Sequence, residues 1–313
     1  MTHAVLLFPG QGSQEPGMGR DLAEISADAM NLWKLGERVS GLPLREIFWE
    51  GDEQAMSDTR ALQPALTIVN LALWQSIAAK ASVFAAAGHS LGELSAMAAA
   101  GVLSPESVLT IASLRGRYMA DADPERKGGM AALVKLDEKT VQAIVKEAAA
   151  ETGELLCIAN YNTPVQFVVS GAKSAVELAC AKAKEHKGRA IELKVSGAFH
   201  SPMMAAANKE LAVQLRKAVW NKPKFPVYCN VHGKAVTDGE SARESLLAQM
   251  TSSVYWTTLV RNQYADGARR WLELGPKALL GKMVAPCLTD MADPEELDVS
   301  LVNSAQSALD FAG

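Results

Sequence analysis

The chain has 313 residues, 49% of them apolar and 21% charged, enough for one large or two modest globular domains with an ample core. A net charge of −4, a pI of about 5.8 and the lack of a basic tail argue against a nucleic-acid binder. Cys157, Cys180, Cys229 and Cys287 are scattered, with no Cys-x-x-Cys or Cys/His spacing, so neither a metal site nor a disulfide frame is expected and a reducing cytoplasm is the natural setting. The opening residues carry no basic n-region and too short an apolar run for a signal peptide. The longest apolar stretch, residues 65–74, is interrupted by Asn70 and cannot span a bilayer.

Residues 4–8 predict a buried strand that runs into a Gly-rich loop, Pro9-Gly10-Gln11-Gly12-Ser13-Gln14. No Gly-Lys-Ser/Thr ending follows, so a P-loop is not expected. Such a loop either lines a site or is a plain strand-to-helix connection. Periodicity predicts helices over 20–40 and 60–80, the second with an apolar stripe of Leu62, Ala65, Leu66, Val69, Leu73 and Ile77. Residues 82–87 suit a short buried strand, and 91–100 a helix closed by Gly101. Between them lies Gly88-His89-Ser90-Leu91-Gly92, the Gly-x-Ser-x-Gly of a nucleophile elbow. Strand, tight turn and helix are the context it needs. The turn would hold the Ser90 hydroxyl at the head of a helix, whose N–H groups face any oxyanion formed there. The bland alternative is a Gly/Ser turn that caps a helix.

Ser104-Pro105-Glu106 opens a helix to about residue 122. On it Arg117 falls on a polar face, whereas Arg115 shares an apolar stripe with Val108, Ile111, Ala112, Tyr118 and Met119. An inward-facing arginine is rarely left unpaired. It is either a structural salt bridge to an unseen acid or a guanidinium fork for a substrate carboxylate.

Residues 123–129 read as a linker. Beyond them come a strand at 130–134, a helix at 137–151, strands at 155–160 and 166–170, a helix at 173–186 and a strand at 189–195. That β-α-β-β-α-β order predicts a small ferredoxin-like α+β unit inserted in a larger α/β domain. The chain then returns through Ser196-Gly197-Ala198, with helices at 200–219, 241–250, 257–267 and 277–284 and strands at 227–231, 270–274 and 299–302. The cleft between the two units is the expected site.

A serine nucleophile needs a base within reach. His3 lies at the start, His186 ends a lysine-rich helix, and His232 sits in a His-Gly turn. His89 adjoins Ser90 but points away across a sharp bend. His200 remains, at a loop-to-helix junction where the small unit hands back to the large one. No acidic residue between Ser90 and His200 stands out as the third triad member. A backbone carbonyl would serve instead, since it too accepts a ring N–H.

Phe8-Pro9-Gly10-Gln11-Gly12-Ser13-Gln14, Gly88-His89-Ser90-Leu91-Gly92-Glu93, Arg115-Gly116, Gly197-Ala198-Phe199-His200-Ser201 and Glu273-Leu274-Gly275-Pro276 occur in one order. Together they make the chain resemble, over essentially its whole length, the malonyl-CoA:acyl-carrier-protein transacylase family, the stand-alone relatives of polyketide-synthase acyltransferase domains. The resemblance implies a hydrolase-like large domain with a parallel sheet (1–124 and 200–313) and a ferredoxin-like small domain (125–199). It implies Ser90 as the acylated nucleophile, His200 as its base, and the backbone N–H groups of Gln11 and Leu91 as the oxyanion hole. Arg115 would grip the malonyl carboxylate. The main-chain carbonyl of Gln249 would orient His200, although the Ser252-Ser253-Val254-Tyr255 that follows departs from the family's usual wording before Trp256. Asn162 would face the cleft, and Phe199 would narrow the space beside the malonyl α-carbon.

The implied reaction is a ping-pong transfer of malonyl from malonyl-CoA to the phosphopantetheine thiol of acyl-carrier protein. It needs no metal or other cofactor, no nucleic acid and no membrane, and a monomer is expected. Carrier proteins are generally acidic, so the cluster Lys182, Lys184, Lys187 and Arg189 is an expected docking face, unless it is only a solvated helix face. Two other readings remain at this level: a serine esterase or thioesterase, and a non-catalytic subunit that binds acyl-CoA or carrier protein.

Overall fold

The computed structural model describes residues 3–313. Among them ten strands, numbered β1 to β10 in chain order, make two sheets. The larger holds β1 (Ala4–Phe8), β2 (Val83–Gly88), β7 (Val227–Tyr228), β8 (Ala235–Val236), β9 (Arg270–Leu274) and β10 (Asp298–Val302), in the order β10-β9-β1-β2-β7-β8. All its pairings are parallel except the short β7–β8 ladder. The wholly apolar β1 is buried along its length, as a central parallel strand covered on both faces must be. Strand order reverses around β1, and β1 and β2 end level, Phe8 opposite Gly88. The loops leaving both strands therefore emerge side by side at the C-terminal edge, where open α/β sheets place their sites.

One face of that sheet is covered by the helix Thr59–Ile77, buried nearly all round and packed on the helix Pro105–Asp121. The helix expected over 20–40 is two, Arg20–Ile25 and Ala27–Ser40. Ser26 divides them: it sits in extended backbone and its side chain accepts from Ala29 N, an N-cap that starts a new helix. Gly101, in a left-handed conformation (φ 74°), follows the helix Gly92–Ala99 as the sequence suggests. The last helix expected, over 277–284, runs instead over Gly281–Cys287. Its start is set by the buried Glu273 carboxylate, which collects the N–H groups of Leu279, Leu280 and Gly281. Among the described residues no helix is long and apolar enough to cross a membrane.

The second sheet holds β3 (Gly128–Val134), β4 (Leu156–Thr163), β5 (Gln166–Ala172) and β6 (Arg189–Glu192), antiparallel in the order β4-β5-β3-β6. The helices Glu138–Thr152 and Lys173–Glu185 bury Val141, Ile144, Ala148, Val176 and Ala179 against it in a separate core. Asp123 shapes the crossing into this unit, its carboxylate accepting from Lys127 N and Gly128 N. The outer edge of β4 is not free. Val254 bridges it, donating to Ala159 O and accepting from Tyr161 N. This ties the small sheet to the segment just beyond Gln249. The strand expected over 189–195 leaves the ladder after Glu192, and Leu193 and Val195 turn to wall a cavity.

Candidate active site

Ser90 stands between β2 and the helix Gly92–Ala99 with φ 52°, a left-handed backbone that costs a non-glycine residue about 1–3 kcal/mol and persists only where its surroundings enforce it. Two side-chain amides enforce it here. Asn230 Oδ1 accepts from Ser90 N at 2.7 Å, while Gln249 Nε2 donates to Ser90 O at 3.0 Å. Asn230 also donates to Gly88 O at 2.7 Å, so the turn is stapled across its whole width. The glycines of the motif and of the β1 loop let the two loops touch. A Cβ on Gly92 would overlap the Phe8 carbonyl, and one on Gly10 would overlap the His89 carbonyl.

His200 also has a left-handed backbone, φ 54°, which is why the helix expected from residue 200 begins only at Ala205, after a short turn over Pro202–Met204. Its Nε2 lies 2.6 Å from Ser90 Oγ. Its Nδ1 faces two backbone carbonyls, Gln249 O and Ser252 O, each at 3.1 Å. Carbonyls only accept, so Nδ1 carries the hydrogen and, in the neutral ring, Nε2 accepts from the serine hydroxyl. Burial pushes the imidazole pKa down to about 3, aided by Arg115 and His89 and opposed by the two carbonyl bonds. The ring is therefore neutral at physiological pH and ready to take a proton. Among the described residues no carboxylate touches it.

Arg115 is 2% exposed and reaches the same hydroxyl: Nη2 donates to Ser90 Oγ at 3.0 Å and to Gln249 Oε1 at 3.2 Å, and Nη1 donates to Gln63 Oε1 at 2.9 Å. Burial lowers its pKa to about 10, against the pull of Glu93, and it stays charged. The fork is thus neither empty nor locked to an acid, the two possibilities its place on the apolar stripe left open. It rests on neutral oxygens, because a buried guanidinium needs acceptors. Arg117, two residues on, is exposed as its polar face requires.

Ser90, His200, Arg115, Gln11, Leu91 and Phe199 line one cavity of about 100 Å³, with Met119, Met130 and Val195 among its apolar walls. The Gln11 and Leu91 amides make no hydrogen bond to any described residue. Leu91 N lies 3.5 Å from where a Cβ on Gly10 would stand, so the two loops run side by side at the cavity. Asn162 is placed differently from the cleft-facing position expected of it. It is buried behind the cavity, its Oδ1 2.9 Å from His89 Nε2, and Asn160 lines the cavity in its stead. Residues two apart in a regular strand share a face, but the pairing of β4 shifts register between Ile158 and Asn160 and again between Tyr161 and Thr163, so Asn160 and Asn162 part. His89 itself stacks at a tilt on Trp256 (5.4 Å), pointing away from Ser90 as the bend demands, and burial lowers its pKa.

Sequence reasoning assigned no role to Asn230, Gln63 or Glu93. Asn230 follows a two-residue strand and carries no motif. Glu93 did carry a signal, an acid three residues after the nucleophile in an otherwise apolar helix; it is fully buried. Among the described residues no cluster of three or more His, Cys, Asp or Glu is arranged to hold a metal.

Residues 5–304 match the acyl transferase domain family. The malonyl CoA-acyl carrier protein transacylase of Escherichia coli strain K12 is 36% identical over 299 residues, covering 93% of this chain and 96% of the relative. The protein of the same name from Bacillus subtilis strain 168 is 34% identical, covering 96% and 97%. Among solved structures, an acyl carrier protein S-malonyltransferase from Vibrio cholerae superposes with a TM-score of 0.90 at 33% identity, covering 99% of each chain. A malonyl-transacylase solved in complex with its type II PKS acyl-carrier protein gives 0.91 at 32% identity, covering 98% of each. A nucleophile elbow with a histidine at hydrogen-bonding distance, in a chain alike from end to end to these enzymes, leaves one assignment: this chain belongs to the acyl transferase family, among its malonyl-CoA:acyl-carrier-protein transacylases.

Proposed function

We propose that the chain transfers malonyl from malonyl-CoA to the phosphopantetheine thiol of acyl-carrier protein through a malonyl ester on Ser90, supplying fatty-acid or polyketide synthesis. The observation that carries the site assignment is the Ser90 hydroxyl, held at once by His200 Nε2 at 2.6 Å and Arg115 Nη2 at 3.0 Å. A base and a carboxylate clamp converging on one nucleophile suit an acyl group that carries its own carboxylate.

In the first half-reaction the Ser90 proton passes to His200 Nε2 as Oγ attacks the thioester carbonyl. The oxyanion forms against the Gln11 and Leu91 N–H groups. The imidazolium is steadied by the Gln249 and Ser252 carbonyls at Nδ1, the work a carboxylate does in a Ser-His-Asp triad. Collapse expels the CoA sulfur, which takes the proton back from His200. From the binding of malonyl-CoA onward, Arg115 holds the malonyl carboxylate in exchange for its contact with Ser90. In the second half-reaction the carrier thiol gives its proton to His200 and attacks the ester, and Ser90 leaves with that proton. Phe199 and Met130 wall the acyl pocket.

The strand order of the small sheet supports a ferredoxin-like unit over 125–199, and the parallel sheet with its elbow supports a hydrolase-like domain over 1–124 and 200–313, of which residues 1 and 2 lie outside the described residues. One chain supplies every group of this mechanism, so a monomer suffices. Four unpaired cysteines favour a reducing, cytoplasmic setting. For carrier docking, Lys182 is spoken for by Glu147 and Glu151, which leaves exposed Lys184, Lys187 and Arg189 as the steering charges.

Incubation with labelled malonyl-CoA tests the reading. An adduct of about 86 Da on Ser90 that passes to carrier protein is expected. Rapid loss of the label to water would instead indicate a hydrolase, and no adduct at all a binding protein.

A further inference from the structure

Glu93 is the buried ionisable group that this mechanism leaves unused. Its Oε2 accepts from Asn230 N at 2.9 Å and from Gln249 Nε2 at 3.1 Å, while its Oε1 has no partner among the described residues. The Gln249 amide makes a bridge: Arg115 Nη2 donates to its Oε1, and its Nε2 donates to Glu93. Guanidinium and carboxyl are thus joined through one neutral amide, with no direct ion pair. A direct pair would fill the fork that a substrate carboxylate has to enter. No counter-charge at all would leave Arg115 buried and uncompensated, at a cost no fold carries lightly.

We propose that Glu93 is the remote counter-charge of the Arg115 clamp, acting through the Gln249 side chain, and that it tempers how strongly the site holds a substrate carboxylate. It is a positioning residue, since it touches neither substrate nor reacting atoms. The charge inventory around it is short. Of the elements packed on its helix Gly92–Ala99, β1 and β2 carry no titratable side chain and the helix Thr59–Ile77 carries only Arg60, at its exposed start. The helix Pro105–Asp121 brings Arg115 as its one buried charge. Cys229, beyond β7, adds a thiol held protonated by burial. Burial raises Glu93 to about 7, opposed by its bonds to Asn230 and Gln249 and by the nearby Cys229 thiol and Arg115.

The inference rests on Arg115 as the carboxylate clamp. Glu93→Gln tests it, because the substitution can keep both hydrogen bonds on the oxygen standing at Oε2 and remove only the charge. The expected result is a lower KM for malonyl-CoA and a rise of roughly three- to tenfold in the malonyl-CoA to acetyl-CoA ratio of kcat/KM, as loss of a repulsion across a few ångströms of protein requires. A purely structural role would move both substrates alike. A folded variant whose ratio is unchanged or lower overturns the proposal. If the variant does not fold, the wild-type ratio between about pH 6 and 8 decides, since His200 is neutral there and the malonyl carboxylate is ionised. Protonating Glu93 as the pH falls raises the ratio if it is the counter-charge; a flat ratio overturns it. Arg115→Ala separates the two claims. An unchanged ratio in that variant removes the clamp itself, whereas a collapsed ratio beside an unresponsive Glu93→Gln removes only the counter-charge.

Discussion

The two walls of the cleft hold their reacting residues in the same strained backbone by opposite means. At the elbow, Ser90 (φ 52°) is pinned by side chains: Asn230 on its N–H and Gln249 on its carbonyl. At the returning turn, the ring of His200 (φ 54°) is oriented by backbone: the carbonyls of Gln249 and Ser252 both face its Nδ1. Side chains are open to substitution and carbonyls are not. The nucleophile's support is therefore breakable one residue at a time, whereas the base's support is buffered against mutation of the residues that provide it. The difference has a physical source. A serine at a helix head needs its peptide held without blocking the amides that face the oxyanion. An imidazole needs only acceptors at Nδ1, and two carbonyls at a chain crossing supply them without burying another charge.

The largest expected effects remove the reacting groups. Ser90→Ala leaves no acyl-enzyme detectable by mass spectrometry. His200→Ala slows its formation at least about a hundredfold in single-turnover measurements. An acylation rate close to wild type without the imidazole would take His200 out of the mechanism.

Next comes Arg115→Ala. Truncating one partner of a buried charge pair costs on the order of 2–5 kcal/mol. kcat/KM for malonyl-CoA therefore falls by roughly 30- to 5,000-fold, while acetyl-CoA, which lacks the carboxylate, loses little. A melting curve of the variant separates this from unfolding. Equal losses for both substrates in a folded variant would make Arg115 structural.

A direct test of the contrast between the walls pairs Asn230→Ala with Ser252→Ala. The first removes both the acceptor on Ser90 N and the donor to Gly88 O and is expected to slow acylation at least about tenfold, the worth of one buried hydrogen bond. The second keeps the carbonyl that His200 uses and should leave the rate within about twofold, since a surface-side truncation changes little. Comparable losses in both would show that the base, too, depends on side chains.

The smallest effect concerns docking. Reversing the charges of Lys184 and Lys187 raises the KM for carrier protein a few-fold at low salt, and the difference fades at high salt. A salt-independent KM in that variant would place docking elsewhere. Lys182 is the internal control, because its charge is already matched within the small unit.

The chemistry at Ser90, His200 and Arg115 was legible in the chain because each sits in a local context that constrains it: a glycine-flanked turn, a loop before a helix, an inward stripe. Local context misjudged what depended on neighbours far along the chain. Asn162, which the family resemblance puts facing the cleft, hydrogen-bonds His89, while Asn160 lines the cavity, because the β4 pairing shifts register on either side of Asn160 and Tyr161. Asn230, at the end of a two-residue strand, has no local signature; its role exists because β7 pairs with β2 and delivers it beside Gly88 and Ser90.

What the sequence alone determined was the alternation of strands and helices, the β-α-β-β-α-β order of the middle stretch, and the local settings of Ser90, His200 and the inward-facing Arg115. Periodicity, turn chemistry and the cost of an unpaired charge act over a few residues and leave their mark there. What only the tertiary structure decided was how those groups are compensated: neutral amides on Arg115, carbonyls in place of a triad carboxylate, and an acid three residues from the nucleophile yet one amide away from the cation it balances. Hydrogen bonds and charge pairing join whatever the fold brings within about 3 Å, irrespective of separation along the chain, so no window of sequence contains them.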